Sequence, residues 1–272
     1  MTLWMVRGDK YGQYHTLALE KGFAYHASQL SDLSGTTSRE DILDLLRNYQ
    51  PDANDPQIRS WGAQLYAIAH LIKKDDLISM PLKNSPQIAI GKVIGSYQYR
   101  TDLLEVHHTI PVEWIKEDIP RTAFGQDLLY SLGSARTICK IQRNNAKLRI
   151  VEILKSNKDP GLITTNKKIK TTENKTDDVE DEGQELSDVE QMAFDQIMAH
   201  IEKHFKGHNL ARLVDAVLQA EGYVTKLSPP GPDGGVDILA GRGTLGFEGP
   251  KLCVQVKSSS SSSDVTVLRS LQ

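Results

Sequence analysis

Residues 234–257 read GGVDILAGRGTLGFEGPKLCVQVK, and their pattern predicts a pair of strands in the C-terminal part of the chain. Two apolar runs, VDILA and KLCVQVK, flank a glycine-rich segment, and each run has the length of a strand. The two-residue period of a strand gives the second run an apolar face and a polar face. These faces are Leu252, Val254 and Val256 against Cys253, Gln255 and Lys257.

Asp237 stands out because it lies inside the first apolar run. A carboxylate is costly to bury unless it is paired or binds a metal. If the two strands are neighbours, Asp237, Gln255 and Lys257 converge and supply an anionic ligand, an oxygen ligand and a fixed positive charge. Such a set can hold Mg²⁺ and stabilise charge on a phosphate. A second interpretation stays open, in which an antiparallel hairpin merely carries an Asp237–Lys257 ion pair on its outer face.

Two helices are predicted before these strands. Ser187 and Glu190 form a capping pair for a helix that runs to about Phe205. Residues 207–223 form the second helix, and Gly222 ends it. Its apolar positions follow helical spacing: Leu210, Leu213, Val214, Val217 and Leu218.

Taken in order, GHNLARLVDAVLQAEGY, SPPGPDGGVDILAG and LCVQVKS resemble the catalytic domain of Mrr-like restriction endonucleases, a branch of the PD-(D/E)xK nuclease superfamily. The resemblance covers about residues 207–272 and implies a restriction-endonuclease-like α/β domain. It implies that Asp237, Gln255 and Lys257 are the catalytic residues. Asp237 and Gln255 would be the metal ligands, with Mg²⁺ or Mn²⁺ as the cofactor.

The sequence departs from the family pattern in two places. Many members carry a glutamate on the first helix, whereas residues 207–211 read GHNLA; Asp215, one turn later, is the nearest substitute. The chain also stops at Gln272, inside the helix predicted after the Gln-x-Lys strand, while the family's domain continues. We therefore expect a C-terminally truncated or partial nuclease domain.

Two other groups of polar residues have alternative interpretations. Asp233 is a further candidate carboxylate, but Pro-Asp-Gly-Gly is typical of a turn. His200, His204 and His208 follow a four-residue spacing that suggests a metal face. No cysteine or acid completes that set, so we interpret it as a solvated face.

Residues 1–155 predict a mixed α and β domain, a small curved sheet or barrel with helices on one side. Strands are expected in LWMVRG (3–8), DLISMPL, IAIGKVIGSYQYR and HTIPVEWI. Ser38 and Asp41 resemble a helix capping box. A second helix has one apolar face: Ile58, Trp61, Leu65, Ala69 and Ile72.

The segment IRSWGAQLYAIAHLIKKDDLISMPLKNSPQIAIGKVIGSY resembles the EVE/PUA-like domains, with Asp75-Asp76 where the family has Gly-Asp. Several of these small barrels bind modified bases flipped out of DNA, holding the ring by aromatic stacking. The resemblance implies a DNA-recognition domain. Its candidate aromatic residues, each of which could equally be a core residue, are Trp4, Trp61, Tyr97, Tyr99 and Trp114.

The net charge of −3 excludes a uniformly basic coat for nucleic acid, and the acidity is concentrated between the two domains. Residues 156–185 have few apolar residues and no aromatics, so we predict a flexible linker between domains at 1–155 and 186–272. An alternative is that the basic half of this linker docks on nucleic acid.

These features predict a cytoplasmic DNA endonuclease. Cys139 and Cys253 are too few for a disulfide framework, which favours a reducing compartment, and no apolar run approaches the roughly 18–20 residues of a membrane helix. The expected activity is modification-dependent (type IV) restriction of modified or foreign DNA. A homodimer is consistent with it, because duplex cleavage generally needs two sites. The alternative is a DNA-binding or regulatory protein that retains a nuclease-like scaffold without cleavage.

Overall fold

The computed structural model describes residues 1–161, 189–229, 236–246 and 248–257. These residues fold as mixed α and β structure in two compact units, with the boundary between Asp195 and Gln196. In the described parts, no helix is both long and apolar enough to cross a membrane.

The first unit is built on a curled seven-stranded sheet. The strands are β1 (Leu3–Val6), β2 (Phe23–His26), β3 (Leu77–Pro81), β4 (Gln87–Val93), β5 (Gln98–Tyr99), β6 (His108–Pro120) and β7 (Ile138–Lys140). Their order is β2-β6-β4-β3-β1-β7, and β5 pairs with β6. β1 runs parallel to β3, and the other pairs are antiparallel. The strands predicted from β-branched and aromatic runs are therefore confirmed.

Five helices accompany this sheet: α1 (His15–Lys21), α2 (Arg39–Tyr49), α3 (Asp55–Tyr66), α4 (Gln126–Leu132) and α5 (Ala146–Ser156). The predicted capping box is confirmed, since Ser38 Oγ accepts the N–H of Asp41 and the Asp41 side chain accepts the N–H of Ser38. A π-helical turn, Ala67–Leu71, extends α3.

The helices lie on both faces of the sheet, which corrects the expectation of helices on one side. Successive residues of β1 point to opposite faces. Met5 packs in a cluster with Ile150 of α5, whereas Trp4 and Val6 pack with Ile68 of the π-helical turn. Every residue of β1 and β3 is buried, so these two strands are covered on both faces of the sheet.

The predicted apolar face of α3 is correct for Ile58 and Leu65, which are buried, and wrong for Trp61, which is 36% exposed. α3 lies closest to α2 at Gly62, where a Cβ would stand only 2.3 Å from Leu43 Cδ2. The Leu43 side chain thus lies directly against Gly62, while the neighbouring Trp61 is left partly exposed.

In the first unit, a buried arginine joins α4, α5 and the segment that follows α5. The Arg149 guanidinium donates to Asp127 at 2.5 and 2.8 Å and to Asp159 at 2.8 and 2.5 Å. The first residues of the predicted linker, up to Gly161, thus pack on this unit. The remainder of that linker and the predicted cap Ser187 lie outside the described residues.

The second unit follows the predicted order of elements, with one addition. α6 (Val189–His204) crosses the unit boundary, and α7 (His208–Ala220) and three strands follow: β8 (Val224–Leu227), β9 (Ile238–Arg242) and β10 (Glu248–Val254). The sheet order is β10-β9-β8, with antiparallel pairs. Gly222, predicted to end α7, has a positive φ of 85°. β8 was not predicted.

Candidate active site

Two of the tryptophans proposed to bind a base use their indole N–H groups within the first unit, Trp4 as a buried residue and Trp114 as a half-buried one. Trp4 is buried, and its indole N–H donates to Asp76 Oδ2 at 3.2 Å. The Trp114 indole N–H donates to the carbonyl oxygen of Ala18 at 3.0 Å. Both rings pack in hydrophobic clusters, which favours a core role for them.

The two tyrosines belong to a chain of polar contacts between loops and β6. The Tyr97 hydroxyl lies 2.8 Å from His108 Nδ1 and accepts the N–H of Leu33 at 3.3 Å. His108 Nε2 lies 3.1 Å from the carbonyl oxygen of Leu30. Tyr99 contacts the same histidine edge-on, with ring centroids 5.4 Å apart. Because its hydroxyl is engaged by Leu33 and His108, Tyr97 has a structural role in the first unit.

Trp61 differs from the other four aromatics because it lines a cleft of 830 Å³ in the first unit. This volume is in the range of sites for small organic ligands. Tyr49, 48% exposed, is a second aromatic residue of its wall. Polar side chains complete the lining, among them His26, Gln50 and Lys10.

The cleft is framed by contacts that sequence reasoning missed. Asp9 Oδ1 accepts the N–H of Gly12 at 2.5 Å, and its Oδ2 accepts the hydroxyl of Tyr25 at 2.5 Å. Gln64 Oε1 accepts the N–H and the hydroxyl of Thr137 at 2.8 and 2.7 Å. These contacts fix the walls from segments far apart in the chain, and no local pattern signals them.

His26 contributes an uncharged ring to the cleft. Burial, together with the neighbouring His108, lowers the pKa of His26 to about 3. Its Nδ1 accepts the N–H of Ser28 at 3.2 Å, which leaves the ring proton on Nε2. The cleft thus combines two aromatic side chains with a neutral hydrogen-bond donor.

In the second unit, the backbone and side chain of Asp237 both contact the end of β10. β9 and β10 pair with Ile238 opposite Val254. Just before this pair, the Asp237 N–H donates to the carbonyl oxygen of Val254 at 2.9 Å. Asp237 Oδ2 accepts the N–H of Val256 at 2.7 Å. The carboxylate therefore reaches the chain between Gln255 and Lys257.

The structure brings Asp237 to this segment without pairing it with Lys257. Within the described residues, the two side chains form no ion pair within 4.0 Å, and Lys257 is exposed. The cross-strand ion pair of the alternative hairpin interpretation is thus not formed. The ammonium group stays accessible to a ligand.

The comparison with protein families bears directly on this hairpin. Residues 202–272 match a family model described as a restriction endonuclease. This match supports a restriction-endonuclease-like nuclease domain. It covers about a quarter of the chain.

The first unit has a different match. Residues 24–132 match a family described only as a domain of unknown function, which does not show the EVE/PUA-like resemblance. No curated protein matches the chain, and no solved structure does.

In the segment that matches the restriction-endonuclease model, Gln255 has the feature expected of a metal ligand. Its Oε1 is buried, and no hydrogen-bond partner for it is found among the described residues. A buried polar atom without a partner costs about 1–3 kcal/mol. A divalent cation would satisfy this oxygen, and a carboxylate with an amide oxygen suits the ligand preference of Mg²⁺. Asp237 and Gln255 therefore fit the predicted cation.

The other candidate metal ligands named from the sequence are the histidines of α6 and Asp233, and those that the structure describes form no metal site. Among the described residues, no three histidine, cysteine or acidic side chains gather in a way that could hold a metal. His200 and His204 stack with ring centroids 4.4 Å apart on an exposed part of α6. Asp233 lies outside the described residues.

Asp215, the substitute named from the sequence, has an unusual environment. Its Oδ1 is buried without a partner among the described residues, while Oδ2 accepts the amide N–H of Gln219 at 2.9 Å. The same Gln219 nitrogen lies 2.9 Å from Thr225 Oγ1, to which it donates. One carboxylate oxygen is thus held and the other is left unused.

Proposed function

We propose that this protein is a metal-dependent, Mrr-like DNA endonuclease of the modification-dependent (type IV) class. The observation that carries the proposal is the 2.7 Å hydrogen bond from the Val256 N–H to Asp237 Oδ2. It fixes the carboxylate beside the Gln-x-Lys segment, within the part of the chain that matches a restriction endonuclease.

Each residue of the site has a distinct role in this proposal. Asp237 and Gln255 hold Mg²⁺ or Mn²⁺, and a bound cation of this kind supplies Lewis-acid chemistry and a more acidic water. The Val256 N–H keeps the Asp237 carboxylate in one orientation. Lys257, exposed at the end of the segment, orients the nucleophile and offsets negative charge on the scissile phosphate.

The first unit would then recognise DNA, and its cleft would receive a modified base turned out of the duplex. Trp61 and Tyr49 offer aromatic surfaces to a planar ring. The neutral His26 offers a donor to the ring edge. Flipping a base out of the duplex costs a few kcal/mol of stacking free energy. Contacts between the base and the walls of the cleft would offset this cost.

The test uses the full chain with methylated and unmethylated plasmid. Asp237→Ala and Lys257→Ala should each abolish Mg²⁺-dependent cleavage while DNA binding persists. Matched controls lie on β10, the strand that leads to Gln255 and Lys257: Glu248→Gln and Lys251→Ala change an exposed acid and an exposed lysine and should cleave normally. Cleavage by Asp237→Ala at the wild-type rate would refute the site.

One observation favours a second function, a DNA-binding or regulatory protein without cleavage. Ala211 stands where many members of the resembling family have a glutamate. Titration of Mg²⁺ and Mn²⁺ separates the two functions. Binding that depends on Asp237, together with nicking of either plasmid, supports the nuclease. DNA binding with no cation bound and no nicking supports the scaffold.

A further inference from the structure

The exposed side of α6 carries an apolar ridge. It consists of residues at a four-residue spacing: Val189, Ala193, Ile197 and Ile201. Val189 is 73% exposed and Ile197 58%, although apolar residues at helical spacing are normally the ones that a helix buries. Phe194, 44% exposed, lies beside the ridge. The helix therefore leaves its apolar side uncovered.

The opposite side of α6 is the one that packs within the first unit. Asp195 is buried, and Arg121 Nε and Nη2 donate to its carboxylate at 2.5 and 2.6 Å. Successive residues of a helix are about 100° apart, so Asp195 and Ile197 point in directions about 160° apart. The fixed contact of α6 in the first unit is thus polar, and the apolar ridge points away from it.

The apolar ridge is complementary to a second copy of itself. If two copies of α6 pack antiparallel with Ile197 against Ile197, the small Ala193 of each copy lies opposite the larger Ile201 of the other. Both residues are four positions from the centre, on opposite sides of it. Ridges of residues four apart interlock in the most common class of helix packing.

Charge favours the antiparallel arrangement. Glu190 precedes Ile197 by seven residues and His204 follows it by seven, so an exposed acid of one copy meets an exposed histidine of the other, beside the exposed Lys203. In a parallel pair, Glu190 would instead meet Glu190, and Lys203 would meet Lys203. Like charges placed opposite each other disfavour an interface, whereas opposite charges fix its register.

We propose that two copies of this chain associate through the exposed side of α6, as an antiparallel helix pair centred on Ile197. A contact limited to one helix per copy is smaller than a standard interface of about 20–30 residues a side, so the dimer should dissociate on dilution. The dimer brings two copies of the proposed nuclease site into one assembly. The inference goes beyond the proposed function and does not rest on it.

Sedimentation velocity of the full chain over a range of concentrations, without metal or DNA, tests the inference. The wild type should change from monomer to dimer as its concentration rises. Ile197→Arg should raise the dissociation constant of the dimer by about tenfold or more, because it places like charges at the centre of the contact. The matched control Ala199→Arg adds the same charge to an exposed residue on the opposite side of α6 and should dimerise as the wild type does.

Disulfide cross-linking tests the direction of the helices. The variants carry Cys253→Ser, because Cys253 is exposed. Ala193→Cys copies mixed with Ile201→Cys copies should cross-link to one another, and neither kind should cross-link to itself.

Three outcomes overturn the inference: a wild type that stays monomeric at every concentration, an Ile197→Arg variant that dimerises as the wild type does, or cysteine variants that cross-link only to themselves. Each of them leaves the nuclease proposal standing, since that proposal is tested by cation binding and DNA cleavage.

Discussion

At the scale of single residues, the five aromatics of the first unit divide by the partners of their polar atoms. The indole N–H groups of Trp4 and Trp114 are used inside the protein. Trp61 instead stands at the rim of a cleft. Residue type and spacing are the same for a core tryptophan and a ligand-binding one, so the sequence could not separate them.

This division predicts opposite results for two substitutions. Trp61→Ala should weaken binding of modified DNA and change the free energy of unfolding little, because the ring is already 36% exposed. Trp4→Ala should destabilise the first unit by about 3–5 kcal/mol, the usual cost of removing a large core aromatic, because Trp4 is only 5% exposed. Urea unfolding and fluorescence anisotropy with a DNA duplex measure the two effects. Equal loss of stability in both variants would contradict the assignment of Trp61 to a ligand site.

At the scale of elements, the sequence was most informative where the signal is local. Ser38 and Asp41 lie three residues apart, and their reciprocal hydrogen bonds form as predicted. The apolar runs VDILA and KLCVQVK likewise predict two strands, and β9 and β10 form there. β8 was missed because VTKL is a short, half-exposed strand without a long apolar run.

The cleft of the first unit shows why contacts between distant segments could not be predicted from the sequence. Gln64 of α3 binds Thr137 beside β7, and Asp9 after β1 binds Tyr25 of β2. Such contacts depend on how distant segments are brought together, which residue spacing does not encode. By contrast, the proximity of Asp237 to Gln255 can be predicted from the sequence, because the two residues lie at the ends of a single hairpin.

The ion cluster around Arg149 joins α5 to α4 and to the segment after α5. Arg149→Leu leaves Asp127 and Asp159 without their cation, and Asp159 is buried. Removing one partner of a buried ion pair commonly costs about 3–5 kcal/mol. We expect a loss of this size in urea unfolding. Lys155→Leu, which breaks an exposed pair on the same helix, should cost less than about 1 kcal/mol. A similar loss for both variants would contradict the structural importance of Arg149.

At the scale of the whole molecule, buried histidines predict how the first unit responds to acid. Burial is the main cause that lowers the pKa of His26 to about 3 and that of His108 to about 4, from an ordinary value of 6.5. Between about pH 6.5 and 4 the unfolded chain binds protons that the folded unit does not bind. The free energy of unfolding should therefore fall as the pH falls through this range.

Urea unfolding at a series of pH values tests this prediction. Burial also lowers the pKa of His15 and His70. His108→Gln removes one of these titrating groups and should reduce the dependence between pH 6.5 and 4. A wild-type stability that is constant over that range, or a variant with the same slope as the wild type, would contradict it.

The position of β1 in the sheet has a consequence for biosynthesis. This strand pairs with β3 on one side and with β7 on the other, and both partners come much later in the chain. Contacts between distant segments form slowly, because a long loop must close before they stabilise anything. The residues LWMV, all of them apolar, consequently lack one of their two neighbouring strands until residues 138–140 have been translated, and a nascent chain of intermediate length exposes an apolar strand edge to chaperones.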